Sequence, residues 1–440
     1  MGAGMDNADS TSPIDGARSS TTPRGNLPRA GVLAPFSVRA FRFQYPADLL
    51  TSWGIEMEIL ILNWYVLIET GSVFWLTVFG ALQYFGTLLA PMIGMAGDRF
   101  GQRRVLATMR AVYATLGATM FLLAFTGVLR PVHVFIVAIL TGLIRPSDLG
   151  IRNALLAETM PPERLTSGMG LSRTTSDTAR IGGALLGAGL VAALGMAPAY
   201  IVIAGFYAAG FLLTLKAGTV AVMRLHAQAV ARASPWRELR DGLSFVWQTP
   251  CLLAAMWLAF LVNMTAFPIT SGLLAYVAKD IFNIGQTGLG TLVASFAFGA
   301  LLGSLTVSTF GRHLRPARTM IVMAVLWHLM LIVFVQMPGP ASARVVLVGA
   351  GFCQSLSMVM MAIMLLTVAG DRFRGRVMGV RMLAIYGMPV GLLGAGVLIG
   401  WIGFMATALL YCVGGILLTL AIAAFWWRDL WPVEARGNLR

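Results

Sequence analysis

Twelve apolar runs, each about 20 residues long, follow one another along this chain. They cover 45–67, 74–96, 105–127, 131–156, 174–194, 197–216, 251–275, 287–309, 319–337, 343–368, 377–400 and 403–427. A helix of about 20 residues crosses the hydrocarbon of a bilayer. Backbone polar groups in lipid must be satisfied internally, which leaves helices or a closed barrel. The alternating ten-residue strands of a barrel are absent from the sequence. The expected fold class is therefore an all-α membrane protein with twelve transmembrane helices. Composition agrees: 58% of residues are hydrophobic and 11% charged, against about 25% charged in soluble domains.

The net charge of +14 would suggest nucleic acid in a soluble protein. Here the basic residues sit in the short gaps between spans, so we expect no nucleic-acid partner. Of the 32 Lys and Arg residues, Arg130 and Lys279 alone fall in loops of one parity. Seven lie inside spans, and all the rest flank the other face. By the positive-inside rule both termini are expected in the cytoplasm, in a cytoplasmic, or inner, membrane of a bacterium. Residues 1–40 read as a disordered polar tail without the apolar core of a signal peptide; 429–440 form a second tail. The longest interior polar gap, 217–249, reads as a linker between halves at 41–216 and 250–428. LLGAG recurs at Leu185–Gly189 and Leu392–Gly396, making spans 5 and 11 internal copies, as in transporters built from parallel repeats.

Cys251, Cys353 and Cys412 all lie in apolar runs and are expected to be free thiols. The sequence contains no metal-ligand spacing, nucleotide loop or nucleophile motif. We therefore expect no enzyme, no cofactor and no ATP-driven transport.

AGDRF occurs twice, at Ala96–Phe100 and Ala369–Phe373. Around the first copy, Gly94, Asp98, Arg99, Gly101, Arg103 and Arg104 match a G-x-x-x-D-R-x-G-R-[RK]-[RK] pattern, with Gln102 departing from it. This pattern resembles the signature of the major facilitator superfamily. Phe41-Arg42, Ser52-x-Gly54 and Asp241–Pro250 further resemble the drug and siderophore exporters related to the enterobactin exporter and macrolide efflux proteins. The resemblance implies two pseudo-symmetric six-helix bundles, a monomer, and a cavity lined by spans 1, 4, 7 and 10. It also implies that spans 2 and 11 meet between the halves. Asp98 lies at the C-terminal end of its own helix, where the dipole disfavours a carboxylate. Gly97 and its neighbours Gly94 and Gly101 permit close approach and a tight turn. We expect Asp98 to dock on the start of span 11, a cytoplasmic gate whose other side includes Asp371, Arg374, Arg376 and Arg381.

Ionisable groups inside the bilayer are costly and mark function. Span 1 holds Asp48, Glu56 and Glu58; span 4 holds Arg145, Asp148 and Arg152; span 5 holds Arg180. These acids are the proton-coupling candidates, because low dielectric favours a carboxyl that can exchange its proton. Glu56 and Glu58 are about 200° apart on a helix. Asn63 shares the face of Glu56, so Glu56 is preferred, and either acid is expected to pair with Arg145. Asp148 can be neutralised by Arg145 and Arg152 on its own helix, with Arg180 joining them. Gly182, Gly183 and Gly187 suit close helix packing, with Gly183 where exporters often carry Pro. Trp53, Trp64, Phe260, Phe267, Phe296, Met358, Met360 and Met361 are candidates for an apolar substrate path. The expected function is proton-coupled export of a small amphipathic or apolar compound by alternating access. Partners are that substrate, protons and the lipid bilayer. Lysophospholipid movement or import are alternatives of the same fold; a transporter-like membrane sensor is the alternative of another class.

Overall fold

The computed structural model describes residues 34–217 and 235–431. The tails before residue 34 and after residue 431 lie outside the described residues, as does 218–234. Within the described residues the chain is helical almost throughout. Nine segments are long and apolar enough to cross a membrane, and the bent pair Leu239–Gln248 and Pro250–Thr265 adds a tenth. Span 1, Arg39–Thr70, falls outside that group because Asp48, Glu56, Glu58 and Glu69 lower its hydropathy. The longest segment, Phe373–Phe425, is two spans that reverse at Gly403, where φ is 80°. The twelve expected spans are thereby all present.

Local chemistry sets the boundaries. Pro131, Pro162, Pro250, Pro316 and Pro340 each sit in the first turn of a helix, where a missing N–H costs nothing. Span 10 and the first turns of span 11 form one continuous stretch, Pro340–Leu383, broken only where Gly370 adopts φ 62°. That left-handed backbone favours glycine, so the second AGDRF is a corner between two helices. The 217–249 linker contains a helix of its own, Pro235–Gln248, set at 108° to the helix that follows. Its Phe245 stacks on Phe373 at 4.2 Å between centroids, and its Asp241 pairs with Arg376 at 3.5 Å.

We call the end that carries residues 101, 217, 235 and 370 the linker end, and the opposite end distal. The halves are pressed together distally. Lys279 donates to the Leu67 carbonyl at 3.4 Å. Gly290 of span 8 lies against Ala184 and Ala188 of span 5, and Gly396 of span 11 against Thr77 of span 2. One apolar core includes residues of both halves there, among them Leu60, Leu76 and Ala188. Toward the linker end spans 2 and 11 part. Span 2 is interrupted by a 3-10 turn at Phe85–Leu89, and span 11 by another at Ala384–Tyr386.

Candidate functional site

Two sets of polar groups lie inside the first half, one buried and one half-buried, and they are separate. The first is a quartet of charges. Arg110 of span 3, with 0% exposure, donates to Asp48 of span 1 and to Thr214 of span 6. Arg152 of span 4 pairs with Asp148 at 2.5 Å, stands 3.8 Å from Asp48, and donates to Ser52 at 2.6 Å. Two aspartates thus face two arginines, and burial is compensated by opposite charge and hydrogen bonds together. Arg152 neutralises Asp148 four residues away, as the spacing suggested. Arg145 and Arg180 take no part.

The second set lines a cavity of about 200 Å³ between the halves. Glu56, Asn63, Gln83, Arg145 and Arg180 form its polar wall. Phe267, Phe296, Val293, Met388 and Leu392 of the second half form a mainly apolar one, in which Thr270 and Ser271 are the polar residues. Glu56 and Asn63 share the cavity face, whereas Glu58 points away and accepts a hydrogen bond from Tyr207 of span 6 at 2.8 Å. Neither glutamate pairs with Arg145. The Arg145 guanidinium donates instead to Gln83 Oε1 at 2.7 Å, because the interruption of span 2 brings Gln83 to the cavity wall. Among the described residues no carboxylate lies within ion-pair distance of Glu56's neighbours Arg145 and Arg180.

The remaining candidates divide. Gly182 packs on Trp53, Gly183 on Glu56, and Gly187 on Met57, so this stretch holds spans 1 and 5 together. Phe267 and Phe296 reach the cavity, but Met360 and Met361 are buried in the core of the second half and Trp64, Phe260 and Met358 pack against it.

The expected gate is not engaged. Asp98 is exposed and accepts a hydrogen bond from Gln102 of the next helix at 2.9 Å; it does not reach span 11. The reason is geometric, since spans 2 and 11 diverge at this end. Gly101 turns the chain at φ 95°, while nothing stands within 4 Å of a Cβ at Gly94. Arg103 donates to the Ala217 carbonyl at 3.2 Å, satisfying the open C-terminal end of span 6. Arg99 lies over the Phe100 ring and Arg104 lies in the first turn of span 3. On the other side, Arg374 donates to the Leu366 carbonyl at 3.3 Å, Arg376 holds Asp241, and Arg381 is half-buried within reach of Arg173. The Asp371 side chain lies outside the described ones.

Sequence reasoning missed Arg110, Gln83, Tyr207 and Tyr386. Arg110 gave a usable signal, an arginine inside an apolar run. The other three are ordinary residues whose roles depend on which helix faces them.

A cavity clasped between two six-helix halves, closed at one end and parted at the other, defines a membrane transporter by its architecture. The sequence profile of the Major Facilitator Superfamily matches residues 31–277, more than half of the chain, and the chain belongs to that superfamily. Macrolide efflux protein A of Streptococcus pyogenes is 25% identical over 271 residues, covering 60% of this chain and 64% of that protein. The match thus spans a little under two thirds of that relative. Macrolide efflux protein A of Enterococcus faecalis is 24% identical over 242 residues, covering 54% of this chain and 72% of that protein. Among solved structures, the nucleoside transporter NupG superposes with a TM-score of 0.68 at 16% identity, over 88% of this chain and 99% of that one. A D-xylose-proton symporter gives 0.61 at 15% identity, over 87% and 96%. At these identities the likeness is one of fold.

Proposed function

We propose that the protein exports a small amphipathic or apolar compound from the cytoplasm in exchange for protons, with the linker end cytoplasmic. The observation that carries this reading is the mixed wall of the central cavity: mainly apolar on the second half, with one unpaired carboxylate, Glu56, on the first. The apolar wall favours a compound with a large hydrophobic body. Glu56 holds either a proton or a hydrogen-bond donor of the substrate, and the two exclude each other. Exclusion at one site, combined with two global states, is what exchange requires. The likeness to macrolide efflux proteins supports export.

Glu56→Gln is expected to keep substrate binding and downhill movement in proteoliposomes while losing acceleration by an imposed pH gradient. Glu58→Gln, which alters a hydrogen bond to Tyr207 outside the cavity, serves as the control. A Glu56→Gln protein that still responds to the gradient like wild type places the proton site elsewhere, at Asp48 or Asp148.

Asp98 is the proposed latch of the opposite, outward-facing state, when spans 2 and 11 close at the linker end. Asp98→Asn is expected to slow transport severalfold without changing the thermal unfolding of the purified protein. Wild-type transport rates in Asp98→Asn would remove the latch.

A further inference from the structure

The seam between spans 2 and 11 holds an apolar groove that the exchange mechanism does not use. At the level where both spans are interrupted, the Leu88 N–H donates to the Tyr386 hydroxyl at 2.8 Å. On the linker side of this bridge the groove is lined by Pro91, Met92, Met95, Leu239, Met382 and Leu383. Leu88, Met92 and Met382 are 52%, 51% and 40% exposed, on segments long and apolar enough to cross a membrane. The groove adjoins a second pocket. Thr87, Ala90 and Met382 line both, and the far wall of the second is Gln83, Tyr84 and Arg145. Those three residues line the central cavity as well. The three spaces thus adjoin in series, a path from the outer surface between spans 2 and 11 up to the Arg145–Gln83 wall of the cavity that holds Glu56.

We infer that this path admits substrate sideways from the bilayer leaflet at the linker end, and that it takes an uncharged amphipath whose polar group accepts hydrogen bonds. The inference rests on the transport reading for its purpose. Its chemistry comes from the walls. The outer part offers aliphatic and thioether surface, and methionine adapts to varied apolar shapes. An ion is excluded there, because moving a charge through hydrocarbon is costly. The first polar groups met are Gln83, Tyr84 and Arg145. A guanidinium carries five donors and no acceptor, and Arg145 spends a donor on Gln83. It repels a cation and receives an ester, ketone or hydroxyl oxygen. Arg180 beyond it reinforces that preference. Only past this point does Glu56 offer an acceptor to a donor on the same molecule.

The test uses a diazirine-bearing monoacylglycerol, which has an apolar chain, an ester acceptor and hydroxyl donors, added to liposomes containing the full-length protein. Photolysis is expected to label peptides containing Met92, Met95 and Met382, and those containing the cavity residues Phe267 and Met388. Filling the groove with Met95→Trp and Met382→Trp is expected to cut cavity labelling at least about fivefold. A water-soluble maleimide should still reach Asn63→Cys, on a background lacking the three native cysteines, as fast as in the unfilled protein. Met92→Cys and Met382→Cys, bridged by a bifunctional maleimide after folding, give the same comparison without perturbing assembly. Absence of groove labelling in the wild type, or undiminished cavity labelling when the groove is filled or bridged, overturns the inference. The expected labelling pattern in a protein that moves no monoacylglycerol down a gradient upholds the path and overturns the transport reading instead.

Discussion

Arg110→Met is expected to destabilise the protein by about 3–5 kcal/mol, the range for removing one partner of a buried ion pair. Arg110 is fully buried, and it holds Asp48 and Thr214. Its loss leaves Asp48 and Asp148 to share the single guanidinium of Arg152, which already contacts both. Met fills much of the vacated volume, so the loss is electrostatic and not one of packing. Adding Asp48→Asn removes the stranded carboxylate and is expected to restore a large part of the stability, giving a strong coupling in a double-mutant cycle. Thermal unfolding of the purified variants in detergent measures it. A single variant as stable as wild type would mean that the quartet is not held as described.

Gly290→Leu is expected to have the largest effect on transport. A Cβ at Gly290 would stand 2.6 Å from the Ala188 side chain and 3.0 Å from the Ala184 carbonyl, closer than real Cβ contacts. The crowding acts only while spans 5 and 8 are pressed together at the distal end. Overpacking of this kind costs about 1–3 kcal/mol. Set against an equilibrium between two states, each 1.4 kcal/mol shifts their ratio about tenfold. The variant should therefore fold, yet populate the distally open state and transport far more slowly. Asn63→Cys, which lines the cavity, becomes accessible to a maleimide added from the distal side. Unchanged accessibility and transport would show that the distal seam is not the closure point.

The spans were legible because about 20 consecutive apolar residues admit so few structures. Their ends were legible to within a few residues where proline or glycine marks them, as at Pro131, Pro340 and Gly403. The interruptions of spans 2 and 11 were not. Gly86 and Tyr386 sit in runs as apolar as their neighbours, and hydropathy does not register a local change from α to 3-10 geometry. The face of span 1 was half legible: spacing separates Glu56 from Glu58 and joins Glu56 to Asn63, but the helix's rotation against its neighbours decides which face meets the cavity. The pairing of Asp48 with Arg110 across 62 residues was beyond reach, since it depends on which way spans 1 and 3 are turned. The expected pairing of Glu56 with Arg145 failed for a related reason. Both reach the same cavity, but Gln83 is delivered there by the unforeseen interruption and takes the guanidinium.

The bridge from Leu88 to Tyr386 also sets a mechanical scale. It joins two helices at the point where each is already discontinuous, so the arms beyond it are short stiff rods on a common fulcrum. The arm of span 2, Ala90–Phe100, has 11 residues and is about 16 Å long at 1.5 Å per residue. A tilt of about 15° at the fulcrum carries its tip, with Asp98, roughly 4 Å sideways while the hydrogen bond stays in place. Such a lever lets the linker end swing through most of a side chain's width with no sliding at Gly396 and Thr77 on the other side of the pivot. The bridge is thus a hinge point within the two-state exchange, about which the linker-end arm of span 2 can tilt.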